Sequence, residues 1–198
     1  MGFLSVLSFA QKLVEERLHA GGTAVDATVG NGVDTLFLCK RVGPRGAVYG
    51  CDIQPQAIER ARRRLAEGLP EPPRTLDLQC RSHHELRELV PAEHAGRVDA
   101  VMFNLGYLPG YEDESGAAPV ITVPATTLPA LEAALELLRP GGVLTVVLYP
   151  GHDGGGEEAA AVEAWASALP QERCQALRYQ FQNRRASAPY LLAVEKRR

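Results

Sequence analysis

Cysteine is scarce. The four present in 198 residues, Cys39, Cys51, Cys80 and Cys174, form no CxxC pair, which excludes a disulfide framework and a cysteine zinc site. They are expected as small buried apolar side chains in a reducing compartment. Long hydrophobic runs are missing too: none approaches the roughly 18 residues that a membrane span needs. The opening Met1-Gly2-Phe3-Leu4-Ser5-Val6-Leu7-Ser8-Phe9 lacks the basic flank of a secretory signal, so a cytoplasmic protein is expected. There is no excess of basic residues, since 21 Lys+Arg against 24 Asp+Glu give a formal charge of −3. That balance excludes nucleic-acid binding by bulk positive charge and confines any RNA contact to local patches. No histidine cluster has metal-ligand spacing, so no metal is expected. A GxGxxG fingerprint is also absent, which counts against a dinucleotide dehydrogenase.

What is present is an ordinary globular composition, 45% hydrophobic and 23% charged, in a length that suits one domain over residues 1–198. Phe3, Leu4, Leu7, Ala10, Leu13, Val14 and Leu18 recur at helical spacing before Gly21-Gly22, which predicts an N-terminal amphipathic helix over residues 1–22. Strand and helix patterns then alternate: Ala24–Val29 and Thr35–Arg41, Ala47–Ile53 and Gln56–Leu69, Thr75–Cys80 and His84–Leu89, Val98–Asn104 and Leu128–Leu138, then Val143–Tyr149. Such alternation predicts parallel β-α-β units in a doubly wound α/β sheet. A helix over Glu157–Ala168 precedes two further strand patterns, Gln175–Asn183 and Tyr190–Lys196. The short link Arg184–Pro189 between them predicts an antiparallel hairpin at the sheet edge. Trp165, spaced helically with Val162 and Leu169, is expected in the core.

In open α/β sheets ligands bind beyond the carboxyl ends of the strands. After the first strand stands Asp26-Ala27-Thr28-Val29-Gly30-Asn31-Gly32-Val33-Asp34-Thr35, where two glycines permit a tight turn against a ligand and the next helix offers its N-terminus. The second strand ends in Cys51-Asp52-Ile53-Gln54, with Asp52 22 positions beyond Gly30; an acid about 20 residues on accepts hydrogen bonds from ribose hydroxyls in this architecture. Asp52 could instead cap the following helix. The fourth strand runs into Asn104-Leu105-Gly106-Tyr107-Leu108-Pro109. An amide, a tight turn and an aromatic at a strand end suit recognition of an amino group.

Together with Arg81-Ser82-His83 and Tyr149-Pro150-Gly151-His152, these segments resemble class I S-adenosylmethionine-dependent methyltransferases. More narrowly, they are similar to the bacterial family labelled rRNA methylase, whose characterised members methylate the amino group of 5-aminomethyl-2-thiouridine at the tRNA wobble position. The resemblance covers nearly the whole chain. It implies a Rossmann-like doubly wound seven-stranded sheet with a C-terminal antiparallel hairpin, S-adenosylmethionine as cofactor and tRNA as partner. A homodimer is compatible with it, and neither membrane nor metal is implied. For the cofactor it implies Asp26, Thr28, Gly30, Asn31, Gly32, Asp34, Thr35, Asp52, Ile53, Gln54, Ser82, His83, Asn104 and Gly106. For chemistry it implies Asn104, Leu105, Tyr107 and His152, and for substrate Tyr107, Pro109, Tyr149, Arg184 and Arg185. The chain departs from the family at two points: Val33-Asp34 stands where His-Asp is usual, and the acidic stretch Gly110–Pro119 replaces a short Gly-Gly-Asp-Lys turn.

None of the cysteines follows a proline, whereas pyrimidine-carbon methyltransferases commonly use a Pro-Cys nucleophile, so nitrogen methylation is expected. An alkyl amine arrives mostly protonated, like lysine near a pKa of ~10.4, so the site must favour its neutral form. Asn104 Oδ1 and the Leu105 carbonyl are candidate acceptors, and His152 is a candidate for proton removal. The run Arg60-Ala61-Arg62-Arg63-Arg64 reads as a solvated helix face. The alternatives are an rRNA base amino-group methyltransferase and a non-catalytic nucleotide-binding module.

Overall fold

Strand patterns flanked by helices fold into β-α-β units in the computed structural model, which describes residues 2–106 and 120–198. The strands are β1 (Thr23–Asp26), β2 (Ala47–Asp52), β3 (Thr75–Cys80), β4 (Val98–Asn104), β5 (Leu138–Leu148), β6 (Cys174–Tyr179) and β7 (Tyr190–Lys196). They form one sheet in the order β3-β2-β1-β4-β5-β7-β6. β1 to β5 run parallel, and β7 pairs antiparallel with both β5 and β6. The order reverses beside β1 and β4, the switch point at which doubly wound sheets open a ligand crevice.

The helices are α1 (Val6–Glu15), α2 (Val33–Val42), α3 (Pro55–Gly68), α4 (Leu86–Leu89), α5 (Pro124–Leu137) and α6 (Gly155–Ala168). They cover both faces of the sheet, so alternate residues of β4 serve separate cores. Val101 and Phe103 pack with Leu131, Leu144 and Val162 on one side. Ala100 and Met102 pack with Leu18, Leu38 and Ile58 on the other.

Several boundaries differ from the sequence expectation, for local reasons. β1 ends at Asp26 because its carboxylate takes the Thr28 N–H at 3.2 Å and turns the chain out of the sheet. α1 closes at Glu15, short of Leu18. The segment after Ser82 begins as a 3-10 turn, His83–Glu85, before α4. α5 starts four residues before Leu128, with Pro124 in its first turn, where a missing N–H costs nothing, and it carries Pro129 inside. β5 begins at Leu138, its register with β4 shifting between Val98 and Ala100. β6 stops at Tyr179 and its face is largely exposed, so the connection to β7 is longer than the expected link. Cys39, Cys51 and Cys174 are buried as expected, whereas Cys80 is exposed. Trp165 packs on the core through its ring and donates Nε1–H to Glu132 at 2.6 Å. Among the described residues no helix is long and apolar enough to cross a membrane, and no group of histidine, cysteine and carboxylate side chains could hold a metal ion.

Candidate active site

A cavity of about 400 Å³ opens at the carboxyl end of the parallel strands, beside the switch point. Its walls come from the loops after β1 to β5, from α1, and from residues 120–126 ahead of and within α5.

The loop after β1 is anchored from below. Asp26 is fully buried, with its carboxylate accepting Thr35 Oγ1–H at 2.6 Å and the Thr28 N–H. Burial, reinforced by the nearby Asp34 charge, pushes its pKa up to about 7. Gly32 has φ +74°, and a Cβ there would lie 2.7 Å from Ala61 Cα, so only glycine lets this turn sit against α3. Arginines of α3 hold the same turn: Arg64 Nε donates to the Asn31 carbonyl at 2.7 Å and Arg60 Nη1 to Asn31 Oδ1 at 3.4 Å. The helix face expected to be merely solvated therefore braces the glycine loop.

Asp52 ends β2 with both oxygens engaged, by Gly30 N–H at 2.9 Å and Gln54 N–H at 2.9 Å. Burial raises its pKa, and these two N–H donors oppose the rise. A carboxylate has about four lone-pair sites, so Asp52 keeps acceptor capacity toward the cavity. Gln54, not Asp52, occupies the cap position of α3. Beside it Ile53, 58% exposed, forms an apolar wall. Ser82 and His83 line the same end. His83 is buried among apolar groups beside Phe103, and burial lowers its pKa to about 4, so it is a neutral imidazole near Thr126 Oγ1 at 3.2 Å.

Asn104 closes β4. Its backbone N–H donates to Thr28 Oγ1 at 2.7 Å, and its Nδ2 donates to Asp34 Oδ2 at 2.6 Å. The other Asp34 oxygen accepts Gln11 Nε2–H from α1 at 2.8 Å. Because Asp34 accepts from the amide nitrogen, the amide is fixed with Oδ1 as its remaining group, a buried acceptor with no hydrogen-bond partner among the described residues. Gly106 follows with φ +146°, and a Cβ built there would lie 3.4 Å from His152 Nε2. The glycine thus leaves His152 next to the cavity wall. His152 Nδ1 donates to the Asp153 carbonyl at 2.8 Å, which fixes the ring's orientation with its proton on Nδ1.

A buried carboxylate that sequence reasoning missed fixes the far wall. Glu158, 2% exposed, accepts Thr122 and Thr127 hydroxyls at 2.6 Å each. Thr122 Oγ1 in turn accepts the Gly106 N–H at 2.8 Å, and Thr122 N–H donates to the Gly106 carbonyl at 2.9 Å. Gly106 and Thr122 are therefore tied across the cavity mouth.

Of the residues singled out in the sequence, Thr28, Gly30, Asn31, Asp34, Asp52, Ile53, Gln54, Ser82, His83, Asn104, Gly106 and Tyr149 line this one cavity. Asp26, Gly32, Thr35 and Leu105 lie behind its wall, and His152 sits just beyond Gly106. Arg184 and Arg185 are exposed on the connection between β6 and β7, whose Ser187 packs against Gly151. Tyr107, Pro109 and the Gly110–Pro119 stretch fall outside the described residues. Gln11, Thr122 and Glu158 join the set from the structure alone.

The family described as "Putative rRNA methylase" matches residues 48–195. A chloroplastic tRNA (mnm(5)s(2)U34)-methyltransferase of Arabidopsis thaliana is 42% identical over 189 residues, covering 92% of this chain. The chain spans 66% of that protein's length, just short of two thirds. Among solved structures, a putative rRNA methylase from Clostridium thermocellum superposes with a TM-score of 0.88 at 36% identity, covering 99% of this chain and 100% of the other. A putative methyltransferase from Streptococcus mutans in complex with SAH superposes with a TM-score of 0.83 at 31% identity, covering 98% of this chain and 99% of the other.

Proposed function

The chain belongs to the "Putative rRNA methylase" family and has the class I methyltransferase fold, and from that premise we propose that it is an S-adenosylmethionine-dependent N-methyltransferase of tRNA. Its target on this reading is the aminomethyl nitrogen of 5-aminomethyl-(2-thio)uridine at the wobble position. One observation carries the choice of nitrogen: Asn104 is locked by Asp34 so that it offers a buried oxygen, and not an N–H, beside the switch point. Such an acceptor suits a group that brings its own hydrogens. The similarity to the Arabidopsis tRNA (mnm(5)s(2)U34)-methyltransferase supports the choice of tRNA.

The residues fit the cofactor. Asp52 retains acceptor sites for ribose hydroxyls, Ile53 offers a face for a ring, and the orphaned Asn104 oxygen and the Asp34 carboxylate give the cavity the negative character that a cationic ligand needs. When bound, S-adenosylmethionine supplies a methyl group on a sulfonium, open to in-line displacement. The chain's task is alignment and exclusion of water. Asn104 Oδ1 accepts the amine's hydrogens and orients its lone pair toward the methyl carbon, while His152 removes the proton that the amine carries on arrival. Tyr149, which lines the cavity, flanks the base.

The test is transfer of labelled methyl from S-adenosylmethionine to RNA lacking the modification. Label in tRNA is expected, and label only in rRNA would move the substrate to an rRNA base amino group. Binding of S-adenosylmethionine without transfer to either RNA would leave a nucleotide-binding module.

A further inference from the structure

The cavity wall continues outward onto a surface that the reaction does not use. α1 contributes Leu7 and Gln11 to the cavity. Between them in sequence, and on the other side of the helix, Phe9 packs on Tyr179 with ring centroids 4.3 Å apart, and Tyr179 meets Phe181 edge-on at 5.7 Å. Arg184 lies over the Phe181 ring at 5.1 Å. Tyr179 Oη donates to the Leu4 carbonyl at 2.8 Å and holds the extended N-terminal residues against this array. Phe3 is left 88% exposed and Leu7 45%. The connection between β6 and β7 returns to the cavity mouth, since its Ser187 carbonyl lies 2.9 Å from where a Gly151 Cβ would be.

Charge is distributed unevenly. Residues 2–12 and 179–189 contain Lys12, Arg184 and Arg185 but no Asp or Glu, in a protein of net charge −3. Among the described residues, the ion pairs of this chain use other arginines and leave Arg184 and Arg185 without a carboxylate. A cationic strip free of acidic residues and interleaved with rings, Phe3 exposed and Phe181 half-buried, is the surface that single-stranded nucleic acid requires, phosphates meeting the cations and bases stacking on the rings.

We propose that the rim built from residues 2–12 and 179–189 docks the unpaired RNA nucleotides flanking the target base, a surface that rests on the RNA methyltransferase reading above. Phe3 and Phe181 are the stacking faces, and Arg184 and Arg185 meet the phosphates. The rim reaches the cavity at Leu7, which lines it, so a nucleotide held on it places its neighbour at the cavity mouth.

The variant Phe3→Ala/Arg184→Ala/Arg185→Ala tests this, because all three side chains are exposed and the fold does not depend on them. Its KM for tRNA should rise about tenfold through the lost stacking. The slope of log KM against log salt should fall by about 1.4, the value for two phosphate contacts on a single strand. Binding of S-adenosylmethionine by calorimetry and kcat should stay within about twofold, since neither residue set reaches the cavity floor. The control Arg74→Ala/Arg97→Ala removes two exposed cations from the opposite end of the sheet, ahead of β3 and β4, and should change neither quantity. An unchanged KM and salt slope in the rim variant would overturn the proposal. So would a loss of self-association in sedimentation with tRNA KM intact, which would make the rim a protein interface. If the unaltered protein transfers methyl to no RNA at all, the reading beneath fails instead.

Discussion

The two halves of the site are built differently. Before Asn104, the three carboxylates at the strand ends are each held by two donors: Asp26 by Thr35 and Thr28, Asp34 by Gln11 and Asn104, Asp52 by Gly30 and Gln54. On the outer rim the groups face outward: Phe3 and Arg185 are exposed, and Arg184 is exposed beside the Phe181 ring. The first half is preorganised for a ligand of fixed shape, where any loose donor would cost affinity. The second half leaves its stacking faces and cations open, as a surface must when it recognises a large polyanion from outside. Asn104 stands at the join, with its backbone tied to the first half and its oxygen unspent.

Breaking the join should have the largest effect. Asn104→Ala is expected to lower the single-turnover rate about 100-fold through lost alignment while changing S-adenosylmethionine affinity only a few fold. Parallel loss of both quantities would place Asn104 in the cofactor half alone. Next in size, Asp52→Ala removes a charged acceptor and should weaken S-adenosylhomocysteine binding by about 1.5–3 kcal/mol. An unchanged dissociation constant in calorimetry would contradict its role.

The third test uses pH. Asp26, raised to about 7 by burial, binds a proton in the fold that it loses in the unfolded chain above about 4, so its contribution to stability falls as pH rises across that window. His83, lowered to about 4, does the reverse: the unfolded chain binds the proton, and stability rises with pH up to about 6.5. The two slopes oppose each other. Asp26→Asn should therefore add a rise of about 1.4 kcal/mol per pH unit between pH 4 and 6.5 relative to the unaltered protein, measured by denaturant unfolding. The same slope in both proteins would mean that Asp26 is ionised throughout. Smallest of the set, Glu158→Gln exchanges one acceptor for an amide donor facing Thr122 or Thr127 and should cost about 1 kcal/mol. It should also lower kcat a few fold with cofactor affinity intact. A loss of cofactor affinity would assign Glu158 to the first half.

The first half was largely legible because its signals are local. Gly30 and Gly32 mark the turn, and Asp52 falls at the expected distance beyond it. Each residue also follows a strand whose apolar pattern is plain. The boundaries failed where two signals compete: Pro129 reads as the first-turn proline of a helix opening at Leu128, although α5 opens at Pro124 and runs through it, and the Pro140-Gly141-Gly142 turn hides the early start of β5. Gln11 and Glu158 gave no signal. Gln11 meets Asp34 across two separate helices, and Glu158 stands in a run of acidic and small residues that reads as a solvated face. Only packing turns its carboxylate inward onto Thr122 and Thr127. Arg60 and Arg64 were hidden for the opposite reason, since they are exposed or half-exposed as charge patterning suggests yet reach back to Asn31.

The central claim is tested most directly by nucleoside mass spectrometry on tRNA carrying 5-aminomethyl-2-thiouridine, incubated with the purified protein and S-adenosylmethionine and digested completely. The account predicts that the wobble nucleoside gains one methyl group, located on the aminomethyl nitrogen by fragmentation, and that Asn104→Ala leaves it mostly unmodified. A methyl group found on a ring carbon, on ribose or on a different nucleoside would contradict it.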